Sequence, residues 1–133
     1  MLKTRLNLVL WGSDLIATRF FIATASLIWG FLLFWPGETF GRPTYDMMAK
    51  FASEPVWAIL FTLHGVLSLY ALLYNIKSKS LLVFDGVLGC LLWTGSCVAM
   101  LLSVYPPPAA ISAEIVTAFA SWWVLVRYPE GLK

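Results

Sequence analysis

The sequence predicts an all-α membrane protein: four transmembrane helices in two helical hairpins, with short interfacial helices. Three observations carry this. The composition is 60% hydrophobic and 12% charged with a mean hydropathy of +0.82, which places the chain in a bilayer. Apolar runs recur at about the 20 residues that a helix needs to cross hydrocarbon. The segments between them hold Pro, Gly, Lys and Ser, which turn or interrupt a chain. At 133 residues the chain forms a single integral membrane domain, with little left for a soluble part.

Residues 1–13 mix Leu2, Leu6, Val9, Leu10 and Trp11 with Lys3, Arg5 and Asn7, as in a short helix lying on the membrane surface. The basic start has the charge of a secretory leader, but Asp14 and Arg19 interrupt the apolar core. Ala23-Thr24-Ala25 is a poor cleavage cue in that setting, so no cleavage is expected. The first span is residues 14–35, with Arg19 snorkelling to the headgroups and Phe34 and Trp35 at the far interface. Pro36-Gly37 ends it. Residues 44–53 form a second interfacial segment, in which Tyr45, Met48, Ala49 and Ala52 share helical spacing and Asp46 and Lys50 pair on the other side. Ser53-Glu54-Pro55 then reads as a helix start, with a cap residue, an acid and an early proline.

The second span, residues 55–76, carries Trp57, Phe61, His64, Ser68, Ala71 and Asn75 at intervals of three or four. They form one seam, and its polar members His64, Ser68 and Asn75 must face protein, since lipid offers them no partner. A short basic turn through Lys77 and Lys79 forces the third span, residues 81–105, to run antiparallel. Asp85 lies just over one turn into it, and Gly86, Gly89, Cys90, Thr94 and Cys97 form a candidate helix-packing face, extended by Gly95 and Ser96. Pro106-Pro107-Pro108 makes a stiff connection to the fourth span, residues 109–127. There Ala110, Ala113, Thr117, Ala120 and Ser121 are small, and Trp122, Trp123 and Tyr128 suit an aromatic belt.

A net charge of +2 is too small and too dispersed for a nucleic-acid footprint. The basic residues do orient the chain. With a cytoplasmic amino terminus, seven lie inside (Lys3, Arg5, Arg19, Lys77, Lys79, Arg127, Lys133) against two outside (Arg42, Lys50). The expected location is a bacterial inner membrane with both termini cytoplasmic.

His64 is the single histidine, three turns into its span, where an ionisable group is a functional candidate by default. Proton relay, ligand contact and haem ligation stand beside the plainer reading of a neutral imidazole bonded to a neighbouring helix. Asp85 and Glu114 lie near opposite membrane faces, too far apart to pair, each in the first turns of a helix where the macrodipole favours an anion. Cys90 and Cys97 share a helix face about 10 Å apart, beyond disulfide reach. Trp93 lies mid-span, its indole donor seeking a carbonyl. No hydrolase, P-loop, dinucleotide or zinc-protease motif is present, so no catalytic, cofactor-binding or metal site is expected.

The segment Trp35-Pro36-Gly37-Glu38-Thr39-Phe40-Gly41-Arg42-Pro43-Thr44-Tyr45, followed by Trp57 and His64-Gly65, resembles small integral membrane proteins of tailed phages and prophages. The resemblance covers roughly the first half of the chain and implies a host-envelope protein of the lysis, exclusion or defence kind. It carries no functional residues over. The expectation is therefore a non-enzymatic, homo-oligomeric protein acting on the envelope, as a holin-like pore former or exclusion effector, partnered by the bilayer and by itself. The alternative is an accessory subunit of a larger respiratory, photosynthetic or transport complex.

Overall fold

A computed structural model describes residues 1–4, 14–37 and 39–127. The interfacial helix expected over residues 1–13 lies largely outside the described residues. Helix α1 spans Asp14–Phe34, a 3₁₀ turn spans Pro43–Tyr45, and α2 spans Asp46–Phe51. Then come α3 (Glu54–Tyr74), α4 (Lys79–Ser103) and α5 (Ile111–Val126). Among the described residues the chain is helical with no strand. Three helices, α1, α3 and α4, are long and apolar enough to cross a membrane.

The fourth helix differs from expectation. It begins at Ile111 rather than Ala109 and has 16 residues, about 24 Å at the α-helical rise against about 30 Å of hydrocarbon. Ala109 and Ala110 remain in a turn after the three prolines, with Ile111 N–H bonded to the Pro108 carbonyl at 3.0 Å. Tyr105, Pro106 and Pro107 each precede a proline and are thereby disfavoured from the α region, which keeps the helix from starting earlier.

Pairing follows the hairpin plan: α1 packs along α3, and α4 along α5, with thinner contacts between α3 and α4 and between α1 and α5. Each helix buries one stripe. On α1 it is Leu15, Arg19, Ile22, Ser26, Gly30 and Leu33, and on α3 it is Trp57, Phe61, His64, Ser68 and Ala71. These intervals of three and four keep one side of a 3.6-residue helix inward.

The outer segment between α1 and α3 folds back onto the bundle. Met48 is fully buried, Trp57 Nε1 donates to the Met48 carbonyl at 3.1 Å, and Met47 N–H donates to Ser103 Oγ at 3.1 Å. Phe40 stacks on Tyr45 with centroids 5.7 Å apart. The expected Asp46–Lys50 pair does not form, and both side chains are exposed. Ser53 takes the N-cap position of α3, but its hydroxyl makes no cap bond.

Candidate functional site

Arg19 lies five residues into α1, Asp85 six into α4, and Ser68 six before the end of α3. At 1.5 Å per residue each is about 8–9 Å from the same end of the bundle, so an antiparallel fold brings them to one level. Arg19 was expected to snorkel, but its side chain turns inward and is 8% exposed. Its Nη1 lies 3.8 Å from Asp85 Oδ2 and donates to the Leu82 carbonyl at 3.3 Å. Asp85 and the Leu82 carbonyl supply the buried guanidinium with partners that hydrocarbon lacks.

Asp85, 5% exposed, therefore does more than answer a helix dipole. It accepts a short hydrogen bond from Ser68 Oγ, and His64 Nε2 lies 3.5 Å from the same oxygen. One carboxylate thus joins α1, α3 and α4. On its other edge His64 Nδ1 is 2.8 Å from Ser26 Oγ, and Trp93 Nε1 donates to Ser26 at 3.1 Å. Indole can only donate, so Ser26 accepts from Trp93, and its remaining lone pair and its proton can serve either tautomer of His64 at Nδ1.

Gly89 makes room for this: a Cβ there would lie 2.8 Å from His64 Nε2. Gly86, Gly89, Cys90 and Cys97 are all buried in the bundle, while Thr94 is half-buried and accepts from Trp122 Nε1 at 2.8 Å. Asn75 departs from the seam; it is exposed and occupies the C-cap of α3, one turn beyond Ala71. Seam spacing alone does not show where a helix stops. Cys90 and Cys97 are free thiols.

Ser26, His64 and Asp85 have the order of a nucleophile, a base and an orienting acid. Ser26 is fully buried, however, and its oxygen is occupied by Trp93. The small cleft beside the network, about 10 Å³, is bordered by Arg19, His64, Ser68, Asp85 and Ser121 and does not reach Ser26. That is room for about one water. The proton path from His64 also stops at Trp93, whose N–H cannot accept. The arrangement ties α1, α3 and α4 together.

Glu114 forms a second buried polar site toward the other end. It is 5% exposed, and Ser96 Oγ lies 2.9 Å from Oε2 and can donate there or to the Trp93 carbonyl at 3.2 Å. As expected, it is far from Asp85 in the bundle, but it too is held by a side chain and not by the helix dipole alone. Glu114 borders a pocket of about 370 Å³ walled by Phe21, Trp29, Tyr45 and Trp93. The buried indole N–H of Trp29 has no hydrogen-bond partner. Burial, and secondly the negative field of Glu114, push the Tyr45 phenol up from its ordinary value. Among the described residues no group of three or more His, Cys, Asp or Glu is placed to hold a metal ion.

Sequence reasoning singled out His64 and Ser68 but missed Ser26, which hydrophobic periodicity leaves indistinguishable from any small residue on α1. The available signal was Arg19, a charge inside a span that calls for an acid at the same depth. No family model, curated protein or solved structure matches the chain.

Proposed function

We propose that the chain is a non-enzymatic membrane protein with four spans and both termini in the cytoplasm, acting on the bacterial inner membrane by assembling with copies of itself. In this reading it is a holin-like pore former or exclusion effector of phage type, and the Asp85 network holds it closed. The carrying observation is the convergence of Arg19, His64 and Ser68 on one carboxylate across the thinner contact between hairpins. Buried charge is costly in a bilayer, so a network that bridges two hairpins is suited to part them when it is broken. Ser26, His64, Ser68, Asp85 and Arg19 are enclosed within one subunit; a conducting assembly needs the hairpins to separate and bring them to a shared lumen.

Controlled expression in a bacterium, with membrane potential followed in time and native mass measured in detergent, tests the proposal. The expected result is depolarisation by an oligomer, earlier in Asp85→Asn than in the wild type. A strictly monomeric protein that leaves the potential unchanged overturns it, and a stable complex with other membrane proteins would favour the accessory-subunit alternative. Reporters at Thr44 and after Lys133 are expected on opposite sides of the membrane; the same side for both sinks the four-span topology.

A further inference from the structure

The pocket beside Glu114 has three properties that together select a ligand. The first is an acid without a cation. Glu114 is 5% exposed and bonded to Ser96, and among the described residues no basic side chain pairs with it. A carboxyl buried in an apolar medium either takes up a proton or pairs with a cation, and a cation that reaches it can ionise it and gain the full charge–charge attraction. The second is the wall of aromatic rings, Phe21, Trp29, Tyr45 and Trp93, on the same cavity. Their faces attract cations, and ammonium groups are commonly held in such cages.

The third is access. Phe21 and Ile28 on the rim are each 56% exposed, on the surface that meets lipid when α1 crosses the membrane. Arg42, which is exposed, borders a separate cavity that shares Trp29 and Tyr45 with this one. The volume, about 370 Å³, falls in the range of about 300–1,000 Å³ typical of small-molecule sites. An anion is repelled by ionised Glu114, and a neutral acyl chain gains nothing from the acid, whereas a cation gains from both the carboxylate and the rings.

We propose that this pocket binds a lipophilic organic cation, an onium centre on an apolar body, with the positive charge beside Glu114 and the aromatic rings around it. The site lies apart from the Asp85 network and does not depend on self-assembly.

The test uses the full chain in nanodiscs of zwitterionic lipid, with tetraphenylphosphonium as the probe and tetraphenylborate as the control of like shape and opposite charge. Saturable quenching of tryptophan fluorescence by the cation at one site per chain is expected, with no saturable quenching by the anion. Glu114→Gln preserves an acceptor for Ser96 and is expected to weaken binding by at least about tenfold, as for loss of a buried charge partner; Glu114→Asp retains binding. Equal binding of the two ions, or unchanged affinity in Glu114→Gln, overturns the proposal. A second readout uses the wild type alone, in case the variant fails to fold. A lipid-soluble carbodiimide should label Glu114, and saturating tetraphenylphosphonium should suppress that labelling; labelling unaffected by the cation overturns the site.

Discussion

In the first hairpin α1 and α3 meet backbone to backbone, whereas in the second α4 and α5 are joined by side chains reaching across. A Cβ on Gly30 would lie 2.9 Å from the Thr62 amide nitrogen and 3.1 Å from the Ala58 carbonyl, and one on Gly65 would lie 2.9 Å from the Ala23 carbonyl. Against α5, a Cβ on Gly86 would meet only the Leu125 side chain, at 3.1 Å. The second hairpin instead carries Ser96 to Glu114 and Trp122 to Thr94. A backbone cannot yield to an added methyl, while a leucine tip can. The first hairpin is therefore the rigid half, and the second holds both buried acids, Asp85 and Glu114.

The largest effect expected from this difference is at Gly30. Gly30→Leu should prevent α1 and α3 from closing and abolish the folded species in detergent, and Gly30→Ala should cost about 1–3 kcal/mol by overpacking. Gly86→Ala should cost less than Gly30→Ala, because Leu125 can rotate away. Thermal unfolding of the alanine variants in one detergent makes the comparison; equal losses would mean that the hairpins do not differ in rigidity.

Next in size is the polar link between the halves. Removing one partner of a buried ion pair typically costs about 3–5 kcal/mol, and replacing both by apolar residues restores much of it. Asp85→Leu and Arg19→Leu should each destabilise the bundle strongly, and the double variant should be less destabilised than the sum. Additive losses in that cycle would show that the two side chains act independently.

Hydropathy was sufficient to read the helices, because a bilayer admits few other structures. It also placed Trp57, Phe61, His64 and Ser68 on one inward stripe of α3. It did not reveal which small residues carry the closest approach. Seven small positions on the third span pointed to α4, yet the tightest backbone contact is made by Gly30 and Gly65, single glycines with little local pattern. Arg19 was misread for a related reason: snorkelling depends on depth alone, and the acid that turns the side chain inward is 66 residues away in sequence. Contacts of that kind are set by which helices pair, and no window along the chain contains them. The shortening of α5 was more accessible, since three prolines precede it.

A smaller effect is expected where α4 enters the network. Gly89→Ala places a methyl against His64 Nε2, and the imidazole must move away from Asp85 or the helices must separate. Overpacking of this kind costs about 1–3 kcal/mol. The histidine nitrogen chemical shifts give a direct readout, because a change in the Nε2 contact alters them even if the fold survives. Unchanged shifts and stability would show that Gly89 does not position the ring.

The smallest effect has the opposite sign. Gly95 lies six residues from Gly89 on the same helix, but it is exposed and a Cβ there would meet nothing within 4 Å. It has an ordinary helical backbone, since the chain has no positive-φ glycine among the described residues. Gly95→Ala therefore removes freedom from the unfolded chain without touching a neighbour, and should stabilise α4 by up to about 1 kcal/mol. A modest rise in unfolding temperature with no change in native mass is the expected result. A loss of stability would mean that Gly95 is covered by another copy of the chain, and a simultaneous fall in native mass would place that residue in the contact between copies.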